Sequence, residues 1–281
     1  MRARGFTLIV GLTLAGWPGG AGAQPGQVRL EGELVQGGLV LGAAPSGSQV
    51  LLDGRELRVG ADGRFVFGFG RDAPDAAELV VRYPDHRLER RTLPIRTREY
   101  HIQRIDGLPP RQVTPSQEDF AKIQAEDKLL KDAKRRDSDL NGFAEPAAWP
   151  VIGPISGAYG SQRILNGEPR APHRGVDIAA RAGTPVDAMA RGVVALAEPD
   201  MYFTGNTVMI DHGHGLHSIY CHMSEIDVAV GQAVERGDPV GKVGATGRAT
   251  GPHLHWGVYW FDKAVDPALL VGPMPALSAD G

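Results

Sequence analysis

The sequence predicts a mainly β protein in which a small sandwich-like all-β module, a helical linker and a larger antiparallel β domain follow one another. Three observations predict it. Residues 27–106 carry short β-prone segments separated by turn signals. Residues 107–145 carry a charged helical pattern behind a capping serine. From Trp149 onward, tight glycine-rich turns punctuate short β-rich runs. The 281 residues are 42% hydrophobic and 22% charged, a globular balance with length for one large or two small domains.

Residues 1–23 read as an export signal. Arg2 and Arg4 form a basic start, residues 6–17 are apolar, and Ala21-Gly22-Ala23 is a small-x-small cleavage signature. The other reading is a membrane anchor. The apolar run is shorter than the roughly 20 residues a spanning helix needs, and Pro18, Gly19 and Gly20 break it. The expectation is therefore a periplasmic or extracellular protein with no stable membrane anchor after cleavage. Removing this segment takes away two arginines and no acid, so the formal charge moves from −3 to −5. Such a surface is unsuited to nucleic acid. Cys221 is the only cysteine, which rules out an intrachain disulfide.

Residues 24–106 form the expected β module, with strands around 48–53 and 65–67 and hairpin turns at Asp53-Gly54 and Asp62-Gly63. The Gly68-Phe69-Gly70 run is not a dinucleotide turn, because Pro74 interrupts the helix that one requires. Residues 107–145 are the linker. Ser116 can cap a helix reaching about Arg136, with Phe120, Ile123 and Leu130 as a thin apolar stripe on a solvated connecting element. Residues 146–270 form the second β domain and residues 271–281 a tail. Within that domain Asp211-His212-Gly213 reads as a hairpin turn.

Seven of the nine histidines fall in this second β domain. His253 and His255 sit two apart, which places both on one side of a strand, and Pro252 disfavours helix just before them. His173 and Asp177 also share an even spacing on what reads as extended backbone. Tyr220 and His222 share a face, which turns Cys221 toward the core. Two histidines and one carboxylate suit a catalytic zinc site, where a water completes the tetrahedron and ionises near pH 7. Histidines left over are free to move protons. His212, His214 and His217 read as structural, and Gly244-Ala245-Thr246-Gly247 as a turn rather than a phosphate loop. No His-Glu-x-x-His and no Gly-x-Ser-x-Gly occurs, and the lone cysteine is a poor nucleophile candidate in mid-strand.

At these residues the sequence resembles the lysostaphin/LytM-type zinc endopeptidases, which cut peptide cross-bridges in peptidoglycan. The likeness rests on residues 173–179, on Tyr220-Cys221-His222, and on residues 244–255, which end in His253-Leu254-His255. It covers residues 150–270. It implies a groove-shaped antiparallel sheet with Zn2+ on its floor, held by His173, Asp177 and His255. It also implies that His222 and His253 are catalytic, one polarising the water and the other steadying the tetrahedral intermediate. A histidine base would explain the missing glutamate. The implied partner is peptidoglycan peptide, with a cell-wall protein as a further candidate. Some relatives of this kind have lost ligands and serve only as wall-binding or activator modules. That is the alternative reading, and here all five positions are intact. The leading β module has no comparable match, so its role is left open.

Overall fold

The structure is a computed structural model that describes residues 26–107 and 115–276. The expected export signal, linker residues 108–114 and tail residues 277–281 lie outside the described residues. No helix among the described residues is long and apolar enough to cross a membrane.

The architecture is mainly β. The N-terminal strands are β1 (Arg29–Gly32), β2 (Leu39–Ala43), β3 (Gln49–Leu52), β4 (Arg55–Leu57), β5 (Arg64–Gly68), β6 (Ala76–Arg82) and β7 (Leu88–Pro94). They form one antiparallel sheet of order β1-β2-β5 and another of order β4-β3-β6-β7. Alternation along the strands buries Val50, Leu52, Leu79 and Val81 beside Phe65 and Phe67. The β3–β4 hairpin turns at Asp53-Gly54, both in the left-handed region, as a two-residue primed turn requires. Asp62-Gly63 is a tight turn too, but it leads into a strand of the other sheet and closes no hairpin.

The next strand, β8 (Ile102–Ile105), leaves this sandwich. It pairs parallel with β10 (Gln162–Leu165), whose other edge takes β11 (Glu168–Pro169). Between them comes α1 (Gln117–Lys134), followed by a 3-10 turn at Gly142–Ala144. Ser116 caps α1 as expected, with its hydroxyl and the Asp119 carboxylate closing a reciprocal capping box. The apolar stripe is not the expected one. Phe120 is 47% exposed, whereas the inward line runs through Asp119, Ile123, Glu126, Leu130 and Ala133. That line follows alternating steps of four and three, and Phe120 stands off it. Nor is α1 merely a solvated connector. Its inner side rests on the second domain, where Ala133 and Leu130 pack with Ile219, Cys221 and Tyr259.

The second domain is built on a large antiparallel sheet. Its strands are β9 (Ile155–Gly157), β12 (Val176–Ala179), β14 (Gly192–Met201), β15 (Gly205–Gly213), β16 (Leu216–Met223), β18 (Ala233–Val234) and β20 (His253–Trp260), in the order β18-β14-β15-β16-β20-β12-β9. The short β21 (Lys263–Val265) pairs with β20 ahead of the terminal turn α2 (Ala268–Val271). A second small sheet joins β13 (Pro185–Asp187), β19 (Pro239–Lys242) and β17 (Glu225–Ile226) in the order β13-β19-β17. The β15–β16 hairpin turns at His214-Gly215, two residues beyond the expected place. Both residues have positive φ, so strand pairing persists through Gly213. One face of the large sheet carries Leu254, Trp256, Val258 and Trp260 into the core. The opposite face floors a groove.

Candidate active site

The register of β12, β20 and β16 builds the groove floor. Asp177 on β12 lies directly across from His255 on β20, and His255 lies across from Cys221 on β16. Cys221 therefore shares the side of the sheet that carries His255 and is buried there under α1 with Ile219 and Tyr259, opposite Tyr220. The expected burial holds, but Tyr220 and His222 do not share a face as expected. The cause is His222, whose φ of 64° breaks the alternation at the end of β16. Its N–H donates to the Thr204 carbonyl at 2.7 Å, which helps hold this left-handed conformation. A non-glycine residue there costs on the order of 1–3 kcal/mol, and such strain collects at functional sites.

His173 precedes β12 in a loop rather than standing on the strand. Backbone bonds fix that loop: the His173 N–H donates to the Ser161 carbonyl, and the Gly160 N–H donates to the His173 carbonyl. Three ligand-type atoms then converge. His173 Nε2 lies 2.9 Å from Asp177 Oδ1, His255 Nδ1 lies 2.8 Å from the same oxygen, and the two nitrogens are 2.9 Å apart. His173 and Asp177 are buried.

The protons sharpen this geometry. His173 Nδ1 donates to the Ala158 carbonyl at 3.1 Å, so in the neutral ring Nε2 carries a lone pair. Burial pushes the His173 pKa down to about 4, which keeps it neutral at pH 7. A neutral imidazole lone pair thus faces a carboxylate oxygen at hydrogen-bond distance, a repulsive contact that a cation would relieve. Tetrahedral ligands about 2 Å from a common centre lie roughly 3.3 Å apart, so the cluster needs to open by only a few tenths of an ångström. Among the described residues this trio is the group of histidine, cysteine and acid side chains able to hold a metal.

His222 and His253 stand beside the trio. Their rings are 4.8 Å apart, and His222 lies 6.1 Å from the His255 ring. His222 Nδ1 donates to the Thr246 carbonyl at 2.8 Å, and His253 Nδ1 to the Gly251 carbonyl at 2.9 Å. In the neutral form of each ring, Nε2 is therefore the nitrogen that carries the lone pair. Burial, then the neighbouring histidines, lower the His222 pKa to about 3. The glycine-rich turn at 244–247 thus has a task, since it supplies the carbonyl that fixes His222.

The remaining histidines are structural. His212 is fully buried, with Nδ1 donating to the Arg191 carbonyl and Nε2 at 2.8 Å from the Ser218 hydroxyl. His217 is buried near Asp211, and His214 packs on Phe143. Sequence reasoning missed Arg163 and Gln103. Arg163 on β10 donates to Asp177 Oδ2 at 2.6 Å and to Gln103 Oε1 at 3.2 Å. The parallel pairing of β8 with β10 brings Gln103 there, and no local pattern announces it.

Fold and site together define a peptidase-type groove with a candidate metal centre at its floor. Residues 171–267 match the model of Peptidase family M23. A Pseudomonas aeruginosa crystal structure assigned to peptidase M23 is 34% identical, with a TM-score of 0.61, covering 85% of this chain and 96% of that one. The chain belongs to peptidase family M23. That match is longer than the groove domain, so the N-terminal module has a counterpart after all. The chain is also 42% identical over 106 residues to the DD-carboxypeptidase/endopeptidase Mpg of Neisseria meningitidis, covering 38% of this chain and 24% of that protein. It is 48% identical over 86 residues to the peptidoglycan DD-endopeptidase ShyA of Vibrio cholerae, covering 31% of this chain and 20% of that protein. The matches thus span about a quarter or less of these curated relatives.

Proposed function

We propose that this chain is an exported zinc metalloendopeptidase that hydrolyses peptide bonds in the cross-links or stem peptides of peptidoglycan, in the periplasm or outside the cell. One observation carries the reading: His173, Asp177 and His255 converge beside a histidine pair that shares the same groove. Family membership and the names of the curated relatives support the substrate class. Two imidazoles and one carboxylate are a donor set for zinc with a position left open. Bound there, zinc would lower the pKa of a water ligand to about 7 and polarise the scissile carbonyl.

This chain's residues do the rest. His173 Nε2, His255 Nδ1 and an Asp177 oxygen hold the metal. His222 Nε2 and His253 Nε2 accept and return protons, because their Nδ1 atoms are committed to carbonyls. The depressed His222 pKa keeps that ring in its accepting form. Arg163 keeps Asp177 oriented.

The test is metal analysis of the residue 24–281 protein with digestion of cross-linked peptidoglycan, beside His222→Ala and Asp177→Ala. We expect about one zinc per chain and muropeptide release. His222→Ala keeps the zinc and loses release by roughly 10²–10⁴-fold, whereas Asp177→Ala loses both. Zinc with no release from the unaltered protein would overturn the enzyme reading and leave a wall-binding module.

A further inference from the structure

Two cavities flank the metal trio. One of about 280 Å³ opens on the side of Asp177, His222 and His253, with Gln103 and Ile105 in its wall. The other, of about 340 Å³, lies between α1 and the sheet. It reaches His255, and also Thr204, whose carbonyl holds the His222 N–H. Hydrolysis at the trio gives this second cavity no task.

Its floor is apolar, with Leu130, Ile219 and Tyr259, and its rim carries Lys131, Lys134 and Arg174 against the one acid of the lining, Asp127. Lys131 and Lys134 fall in the last turn of α1, where cations complement the helix dipole. That accounts for two of the three. Arg174 arrives from the loop that carries His173, and the dipole gives no reason for it to be there. The three charges feel one another. Burial first, then the Arg174 guanidinium, lower the Lys134 pKa, and Lys131 adds to the repulsion. Asp127 and Asp262 attract Lys134 in return, but neither reaches ion-pair distance. Lys134 instead lies 4.5 Å from the Tyr259 ring centre. Among the described residues, no side-chain hydrogen bond or ion pair engages Lys131, Lys134 or Arg174. Unpaired cations gathered over an apolar floor favour an incoming anion with an apolar stem. A carboxylate at the end of an aliphatic side chain has that shape and that charge.

We propose that Lys131, Lys134 and Arg174 form a subsite for an acidic side chain of the peptide, an aliphatic stem ending in a carboxylate, carried by a residue next to the bond held at the metal. This rests on the peptidase reading above and names its substrate class more closely. The stem lies on Leu130, Ile219 and Tyr259 while the carboxylate meets the cationic rim. Because α1 supplies two of the cations, the helix ahead of the peptidase domain takes part in substrate recognition. The three residues position substrate and transfer no proton.

The experiment compares a fluorescently labelled cross-linked muropeptide dimer with the same dimer whose carboxyl groups have been converted to amides. The amide keeps the shape and loses the charge. Binding is read by anisotropy on the zinc-loaded chain carrying His222→Ala, so that affinity is measured without turnover. We expect the carboxylate form to bind roughly tenfold or more tightly, the range of a charge-assisted hydrogen bond. Adding Lys131→Gln and Arg174→Gln together removes most of that preference, and Lys131→Gln alone removes part of it. Lys128→Gln is the control, since Lys128 stands on the same helix, pairs with Asp132 and lies outside the cavity lining. It takes away the same charge and leaves the preference intact. Zinc content is measured for each variant, and if the double variant loses zinc the Lys131→Gln chain decides. Equal affinity for the two forms overturns the proposal, as does failure of both to bind. A preference that survives the substitutions, or falls as far with Lys128→Gln, overturns it as well. Whether peptidoglycan is cleaved is decided by the digestion assay alone, so a failed subsite and a failed peptidase reading give different results.

Discussion

Asp177 is gripped on both of its oxygens. Oδ1 faces His173 and His255, while Oδ2 takes the Arg163 guanidinium at 2.6 Å. Arg163 fixes the carboxylate plane, and Gln103 in turn fixes Arg163. Partners of this outer kind are worth 10–100-fold in metal affinity. Arg163→Gln is therefore expected to weaken zinc binding by about that factor, read by competition with a chromogenic chelator, with the circular dichroism spectrum retained. Of the five histidine and aspartate positions, His253 and His255 keep on β20 the spacing read from the sequence. His173 lies in a loop and His222 breaks its strand, so the full set was legible through the family resemblance. Arg163 and Gln103 were not, because a long-range strand pairing brings them together. His222 was put on the same face as Tyr220 for a local reason: parity counting assumes regular extended backbone, and His222 departs from it.

At the scale of the element, α1 holds most of the surprise. Its cap was readable, since Ser116 followed by Asp119 is a capping box written in four residues. Its docking was not, because the contact uses a small residue, Ala133, and polar anchors in place of a broad apolar stripe. Glu126 accepts from the Tyr202 N–H at 2.9 Å, and Lys122 donates to the Asp200 carbonyl at 2.7 Å. Lys134 lies 4.5 Å from the Tyr259 ring centre, and burial lowers its pKa. The helix so placed covers Cys221, a buried thiol whose pKa burial raises. Ala133→Asp puts a charge into this contact and is expected to lift the helix. Native-state labelling of Cys221 by a thiol reagent then accelerates roughly tenfold or more, because reactivity follows the population of the opened state. Unchanged labelling would show that α1 is held by its polar anchors alone.

The whole molecule behaves as one folded body. A single buried apolar cluster runs from Val28 in the N-terminal sandwich to Val265 in the second domain. At the contact, a Cβ on Gly68 would lie 2.7 Å from the Val265 side chain, so the absence of a side chain permits the close approach. Arg98 pairs with the buried Asp266 at 2.8 Å across the same boundary. The sequence marked the two β-rich stretches clearly, but their shared core comes from residues more than 150 positions apart and has no local signature. Acid stability is a property at this scale. Burial lowers the His212 pKa to about 4, against an unfolded value near 6.5. Its contribution is therefore full above pH 6.5 and fades as pH falls toward 4. Between pH 7.5 and pH 5 this one group removes about 2 kcal/mol of folding stability. Urea unfolding at the two pH values measures it, and His212→Gln, which cannot titrate, is expected to flatten that part of the slope.

The path of β8 also bears on how such a groove can be passed between proteins. The strand lies before the linker helix, yet it pairs with β10 and contributes Gln103 and Ile105 to the cavity wall. A gene fragment cut at the conventional start of the peptidase motif would leave β10 as a bare edge and strip Arg163 of its support. The unit of inheritance, for recombination or for grafting, thus begins before Ile102 and carries α1 with it. What looks along the chain like a detachable leader is, in space, part of the vessel.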